Sequence, residues 1–523
     1  MGWLVFIAPH AIIRNSRKRS ANDLAPRRSL NPKSDIRTFN HLSTVCGILA
    51  EVLTGRVATI VLLGFTLILG LYGIERSLWL DEAWVANSVH APTLGGMFYY
   101  PNWLQTSPPL FLMLARSAVG LFGLSTVVLR SVPLLLALVA VAAMLAAARR
   151  VVSPSYAVLA TAILAFHPTS VEYFRAFKQY GGEVAATTVV LLAAVVYLQK
   201  PDRKQFYVLV GVMVAAMTLS YPTVFLLPGV VVAIGFGNRS RAAMLAGICT
   251  AVLAVLYWFL IHPNYTAALR AYWMGAPAVW LTPSTIAAVV LCVGFAVRIA
   301  WTRNAIGLIL LAPCVLLFAS ELLGWYPASP RTQMFVRPCF ILLLVMVLQD
   351  LGSLTKWKWD AVVLVAAAVV IFLGVRKQFH EGRFQPEEDM AGAVRYLRMN
   401  VAPSDLVLVH ASLREGFQLY TAIQGWTAPP VIYGDTEWPC CPRGKLAGPN
   451  VSTAEDVLHD VNSKVPRDFH GRVWLFYTDR PLHWDYVRVY DPKLWQNYFW
   501  SRGCTPGPYI RFANLGLIPM NCT

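Results

Sequence analysis

The chain is 523 residues long, 57% hydrophobic and only 14% charged, with a mean hydropathy of +0.53. Soluble globular proteins carry about 25% charged residues, so this composition excludes an ordinary soluble protein and points to an α-helical polytopic membrane protein. The net charge of +17 does not signal nucleic acid, because the cations fall mainly in short loops between apolar runs, the positive-inside pattern.

In chain order, the opening MGWLVFIAPHAII is apolar but too short to span. A basic, acid-poor stretch follows without an A-x-A-like cleavage site, so residues 1–54 are expected to be a cytoplasmic basic tail rather than a signal peptide. About eleven spanning segments follow, near 56–74, 127–148, 156–172, 181–198, 206–221, 223–237, 242–261, 283–300, 305–323, 338–352 and 360–376. The basic loops Arg149-Arg150, QKPDRK, NRSR, RIAWTR and KWKWD then fall on one side by parity, the side of the basic tail, which is cytoplasmic by the positive-inside rule. Residues 75–126, 166–183 and 322–337 lie on the outer side, as does everything after about 377.

Residues 377–523 read as an extracytoplasmic α/β domain. PEEDMAGAVRYLRMNV places Met390, Val394, Leu397 and Val401 at helical spacing. DLVLVH and RVWLFY read as buried strands, and Ser452 and Glu455 stand in capping-box register. Cys440, Cys441, Cys504 and Cys522 lie in this domain, where disulfides persist; bridges such as Cys440 or Cys441 to Cys504 or Cys522 fit, and sequence does not choose among them. Cys249, Cys292, Cys314 and Cys339 sit in apolar runs as packing residues.

Outer segments should be poor in cations, yet Arg76, Arg116, Arg130, Arg175, Lys178, Arg270, Arg331 and Arg337 map there. As a set they suit a lipid phosphate, which takes both charge and N–H donors; singly, each could snorkel or pair with a local acid. The first outer loop opens with SLWLDEAW, where Asp81 and Glu82 stand between Trp79 and Trp84. They could simply start a helix, with Asp81 as N-cap and Glu82 favourable to the dipole. They could also supply a base, since an apolar, aromatic surround raises a carboxylate's pKa. Trp79 and Trp84 are interfacial anchors or stacking surfaces for a sugar ring. SPPLFLML then reads as a helix at the interface, leading to Arg130. Further on, Glu172, Arg175, Lys178, Tyr180 and Glu183 crowd together; in a helix Glu172 and Arg175 share a face, as do Arg175 and Lys178.

WLDEAW, then SPPLFLML, then LRSVPLLLAL, then FKQYGGE resembles, in order, the GT-C membrane glycosyltransferases of the family 39 and aminoarabinose-transferase-like type, over roughly residues 55–350. The resemblance implies a transmembrane GT-C catalytic domain over 55–376, a polyprenyl-phosphate sugar donor, and Asp81 as catalytic base with Glu82 beside it. It maps Lys178, Gln179, Tyr180 and Glu183 to the donor side. Many relatives carry R-E-x-R-x-Y, and here Ala176 and Lys178 depart from that form. Arg331 and Arg337 are candidates for a later basic loop, and with Arg130 and Arg175 they complete the expected phosphate-binding set. The acceptor would be a lipid, polysaccharide or protein of the cell envelope, and the enzyme would sit in the inner (cytoplasmic) membrane with its active face and C-terminal domain on the periplasmic or extracellular side. No cofactor and no metal ligand set is called for, although acids in an outer loop could hold a divalent ion. Adjacent acids cannot easily flank one bond, which disfavours hydrolysis and favours displacement with inversion. The competing readings are a lipid or sugar transporter or flippase, disfavoured because the spans are nearly free of charge, and a non-catalytic relative that binds envelope glycan.

Overall fold

The computed structural model describes residues 55–99, 107–264, 293–296, 298, 304–326, 329–354, 359–380, 388–410, 413–433, 454–466, 468–478 and 492–523. The helical part comprises α1 (Arg56–Leu71), α2 (Leu80–His90), α3 (Leu94–Phe98), α4 (Pro109–Phe122), α5 (Thr126–Ala148), α6 (Pro154–Phe166), α7 (Pro168–Arg175), α8 (Tyr180–Gln199) and α9 (Arg203–Leu219). A 3₁₀ segment, Tyr221–Leu226, leads into α10 (Leu227–Gly235), followed by α11 (Arg239–Leu256), α12 (Ala305–Leu322), α13 (Arg337–Ser353) and α14 (Asp360–His380). Ten of the eleven expected spans coincide with helices among the described residues; the run at 283–300 lies mostly outside them. Five helices, α5, α8, α11 with its π-helical extension to Ile261, α12 and α14, are long and apolar enough to cross a membrane.

One difference from the sequence reading has a plain cause. The expected span 156–172 is two helices, because Pro168 holds His167 in extended backbone (φ −59°, ψ 133°) and ends α6 at Phe166. The Pro108-Pro109 start gives α4 only 14 residues, about 21 Å at 1.5 Å per residue, short of the roughly 30 Å hydrocarbon core. Its last residues, Leu121 and Phe122, are each 76% exposed.

The bundle is organised around α5 and α8, whose apolar stretches are the most deeply buried of the five, while α11 and α14 present mostly exposed apolar side chains, as lipid-facing helices do. Close approach of α8 to α5 needs small residues. A Cβ on Gly181 would stand 3.3 Å from the Pro133 carbonyl oxygen, and one on Gly182 would stand 3.3 Å from Leu136. The GG of FKQYGGE is therefore a packing feature that seats the start of α8 on α5.

Three of the loops expected to share one side, those at Arg149-Arg150, QKPDRK and NRSR, meet at one end of the bundle. Arg149 donates to the Gly55 carbonyl (2.8 Å), Gln199 to the Arg150 carbonyl (3.2 Å) and Arg241 to the Pro201 carbonyl (2.8 Å). The start of α5, joined to the first loop through Thr126 and the Glu75 carbonyl (3.4 Å), belongs to the opposite end.

The C-terminal domain contains α15 (Met390–Asn400), β1 (Leu406–Val409), α16 (Arg414–Ile423), β2 (Val431–Tyr433), α17 (Ala454–Lys464), β3 (Gly471–Thr478), α18 (Pro492–Ser501), β4 (Thr505–Pro506), β5 (Ile510–Phe512) and β6 (Leu515–Cys522). The sheet order is β2-β1-β3-β6-β4, with β5 also on β6. β2, β1 and β3 run parallel, and β6 is antiparallel to β3, from Gly471 opposite Cys522 to Thr478 opposite Leu515. The two-residue period of a strand sorts the core. Leu406, Leu408, Val473 and Leu475 face Val461, Trp495 and Phe499 on one side. Val407, Val409, Trp474 and Phe476 face α15 and α16 on the other, in one apolar core continuous with that of the membrane helices. Cys504 is bridged to Cys522, which ties the approach to β4 to the end of β6. Of the expected pairings this replaces those linking Cys504 or Cys522 to Cys440 or Cys441; these two cysteines and Ser452 lie outside the described residues.

Candidate active site

The two acids of SLWLDEAW part company at once. Trp79 is extended (φ −84°, ψ 171°), and α2 starts at Leu80. The third helical residue, Glu82, reaches back to accept the Trp79 N–H at 3.2 Å. The N-cap is therefore Trp79, not Asp81. Successive residues on a helix point about 100° apart, so one acid turns into the protein and the other stays at its surface.

Glu82 is the inward one, with no exposed surface. Its Oε1 accepts from Arg130 Nε at 3.0 Å and its Oε2 from Arg130 Nη2 at 2.6 Å, a bidentate pair. Oε1 also accepts the Phe177 backbone N–H at 2.5 Å. Burial alone would raise this carboxyl's pKa; the Arg130 guanidinium and the Phe177 N–H outweigh it and hold the group below the ordinary range. The raised pKa expected of an acid in an apolar surround is thus overturned for Glu82. Arg130, expected at a donor phosphate, is 1% exposed and also donates to the carbonyls of Ile74 (3.3 Å), Arg76 (2.5 Å) and Ser77 (3.1 Å). Arg130 thereby joins the head of α5 to the loop that carries the acids, and its guanidinium and the Glu82 carboxylate are both buried in that pair.

Asp81 keeps a partly exposed carboxylate, and two cations come to it from distant parts of the chain. Arg331 Nη1 lies 3.2 Å from Oδ2 and Lys178 Nζ lies 3.9 Å from the same oxygen. Arg331 is presented by a turn in which the Ser329 N–H donates to Thr332 Oγ1 at 2.8 Å and the Thr332 N–H donates to Ser329 Oγ at 3.4 Å. Lys178 lies past the end of α7, in the non-helical residues 176–179, so the face it was expected to share with Arg175 does not form. Burial lowers the Lys178 pKa, against the opposing pull of Asp81. Tyr180, the first residue of α8, packs its ring edge-on against Tyr173 at 4.9 Å beside this group.

The remaining candidates lie around the site rather than in it. Arg175 is 4% exposed and donates to Gln378 of α14 at 3.2 Å; burial, then the neighbouring Arg76 and Arg130, push its guanidinium down to about 10. Arg337 meets His167 Nδ1 at 3.0 Å and donates to the Pro330 carbonyl at 3.2 Å. Arg116 closes the end of α2, donating to the carbonyls of Val89 (3.1 Å) and Ala91 (2.6 Å). Glu183 is buried one turn into α8, and its Oε2 has no hydrogen-bond partner among the described residues. Trp79 and Trp84 flank the acids, both half-buried. Arg270 lies outside the described residues. Of the unexpected cations that are described, Lys178 and Arg331 are the two paired with Asp81. Among the described residues no three His, Cys, Asp or Glu side chains gather as metal ligands do, and the charged side chains paired with Asp81 are both cations.

Sequence reasoning missed the Phe177 N–H and a group of contacts from the C-terminal domain. The Leu78 N–H donates to Tyr420 Oη at 2.6 Å. Ser77 Oγ donates to Asp389 Oδ1 (3.3 Å) and accepts the Ala391 N–H (2.9 Å). Asn87 Nδ2 donates to the Glu415 side chain at 2.8 Å and to its carbonyl at 2.9 Å. These partners are more than 300 positions apart in the chain, and a backbone donor has no residue-type signature.

The same arrangement of elements recurs in known proteins. Residues 106–265 match the family model of dolichyl-phosphate-mannose-protein mannosyltransferases, under a third of the chain. No curated protein matches the sequence. Among solved structures, ArnT from Cupriavidus metallidurans bound to undecaprenyl phosphate is 13% identical, with 88% of this chain and 97% of that one covered and a TM-score of 0.54. Its apo state gives 14% identity over the same shares and a TM-score of 0.55. The archaeal oligosaccharyltransferase AglB from Archaeoglobus fulgidus, in complex with an inhibitory peptide and a dolichol-phosphate, is 10% identical over 80% of this chain and 69% of that one, with a TM-score of 0.50. These likenesses agree with the helical bundle: the chain has the fold of ArnT and AglB, a multi-pass helical bundle with a sheet-containing domain at its C-terminus.

Proposed function

We propose that this protein is an integral-membrane glycosyltransferase that moves a sugar from a polyprenyl-phosphate donor to a cell-envelope acceptor on the outer face of the cytoplasmic membrane, by inverting displacement. The observation that carries the reading is the convergence of Lys178 and Arg331 on Asp81. A lipid-phosphate sugar has a good leaving group and needs no general acid. It needs cations at the phosphate and one carboxylate for the acceptor's proton. The donor phosphate, arriving between Lys178 and Arg331, takes over their contacts and releases Asp81 to the acceptor. The acceptor oxygen or nitrogen attacks the anomeric carbon as the bond to the phosphate oxygen breaks. The lipid phosphate leaves as an anion held by the two cations, and the acceptor's proton passes to Asp81.

The likeness supports lipid-phosphate chemistry: the similar ArnT structure holds undecaprenyl phosphate and the AglB structure a dolichol-phosphate. Two features support an outward-facing site. The basic loops gather at the opposite end of the bundle, and the domain beside the site carries a disulfide, at home in an oxidising compartment. The test is glycan and glycolipid profiling of a deletion strain complemented with wild-type or Asp81→Asn protein. The reading expects a sugar that is missing in the deletion, restored by wild type and not by Asp81→Asn; an unchanged profile in the deletion would overturn it.

A further inference from the structure

We infer that the C-terminal domain is a positioning element for Asp81, acting through Tyr420, Asp389 and Glu415; this rests on the glycosyltransferase reading and assigns a part to a domain that reading leaves idle. The helix carrying Asp81 is only 11 residues long, and an isolated helix of that length is marginal. Something must hold it, and the domain grips it on both sides of Asp81. Before it, the Leu78 N–H is bonded to Tyr420 Oη and Ser77 is bonded to Asp389 and Ala391. After it, Asn87 is bonded twice to Glu415.

The Tyr420 and Glu415 contacts are out of water: Leu78 is 1% exposed, Tyr420 1% and Glu415 1%. A buried backbone N–H that loses its acceptor must find another, so removing the Tyr420 hydroxyl obliges residues 77–80 to shift. The apolar layer behind the polar grip is shared as well, since Phe417, Val394 and Met390 belong to the same core as Leu78, Val85 and Ala86. The membrane helices hold α2 from below through Glu82, Arg130 and Phe177, and the domain holds it from above. The direction of the Asp81 carboxylate is set between the two.

The experiment compares full-length Tyr420→Phe and Asn87→Ala with wild type in three measurements. These are sugar output in the complemented deletion strain, binding of undecaprenyl phosphate to the purified protein, and amide hydrogen exchange along residues 78–84 and along α8. The expected result is a roughly tenfold to hundredfold loss of output, faster exchange confined to 78–84, and unchanged undecaprenyl phosphate binding, because Lys178 and Arg331 are not displaced. A merely structural role would instead lower binding and speed exchange in α8 in proportion to lost output. That pattern overturns the inference, as does wild-type output in both variants. Asp81→Asn in the same strain separates the two levels: if it too leaves output unchanged, the enzymatic reading falls, whereas loss there with normal output in Tyr420→Phe and Asn87→Ala removes only the positioning role.

Discussion

The backbone N–H of Phe177 donates to Glu82 Oε1 at 2.5 Å. Each of these residues has a charged neighbour in sequence, Lys178 beside Phe177 and Asp81 beside Glu82, and those neighbours meet at 3.9 Å. The buried contact thus sets the exposed one. It also divides the acidic pair into a carboxylate that holds two loops together and a carboxylate that faces the solvent and two cations.

From that division, Asp81→Asn should abolish transfer with little effect on folding. Asp81 keeps 19% of its side-chain surface, and its partners Arg331 and Lys178 keep 22% and 13%, so losing the charge leaves neither cation wholly cut off from water. A general base is worth about 10²–10⁴ in rate, and the loss of the envelope sugar should be near-complete while the melting temperature stays close to that of wild type. A melting temperature that falls with activity would assign Asp81 a structural part instead.

Glu82→Gln should do the reverse, damaging the fold first. It leaves Arg130 buried with its charge uncompensated, at a cost of roughly 3–5 kcal/mol, and it weakens the Phe177 contact. The pH dependence has a definite sign. The folded-state pKa of Glu82 lies below its ordinary value, so the ion pair's contribution is fully present above that ordinary value and is lost as pH falls through the lower, folded one. Thermal melts of wild type and Glu82→Gln should therefore differ most near neutrality and converge in acid; curves that stay parallel down to pH 3 would refute this account.

How much of this was legible beforehand divides along physical lines. The spans were legible because twenty apolar residues in a row have few alternatives, and the strands of the C-terminal domain because DLVLVH and RVWLFY are short and apolar. SLWLDEAW and FKQYGGE drew attention as charges where a membrane lip should have none. The resemblance singled out Asp81 as the base, but the residues alone did not say which acid would turn inward. Asp81 and Glu82 differ in sequence by one methylene and in structure by the direction a helix turns in one residue. The cations were also unresolvable as a set, because an arginine bound to carbonyls, such as Arg116, and one bound to a carboxylate, such as Arg331, look alike in a string of letters. The grip of the C-terminal domain was invisible, since backbone donors such as Leu78 N–H leave no mark on composition.

Lys178 and Arg331 should carry donor binding. Each charge-assisted contact to the phosphate is worth about 1.5–3 kcal/mol, so Lys178→Ala and Arg331→Ala should each weaken undecaprenyl phosphate binding by roughly tenfold to a hundredfold. Burial lowers the Lys178 pKa, so the free protein loses that charge at a lower pH than an ordinary lysine would. Binding should therefore decline on the alkaline side earlier in wild type than in Lys178→Arg, whose charge persists. Titration of undecaprenyl phosphate binding against pH in the two proteins checks this; superimposable alkaline limbs would remove Lys178 from the phosphate.

The last prediction concerns stereochemistry. Retention requires a carboxylate that attacks the anomeric carbon and a covalent sugar–enzyme intermediate; in retaining glycosidases a second carboxyl stands about 5–5.5 Å away to act as acid and base. Here the neighbouring acid, Glu82, is buried and committed to Arg130 and Phe177. With Glu82 unavailable, Asp81 has no second carboxyl to work with and serves as the base for the acceptor's proton. The transferred sugar should therefore carry the anomeric configuration opposite to that in the donor, and Asp81→Glu should retain partial activity, since a base tolerates a longer arm better than a nucleophile does. The coupling constant of the anomeric proton in the isolated product, set against that of the donor, decides the matter, and retained configuration would overturn the single-displacement mechanism together with the base role of Asp81.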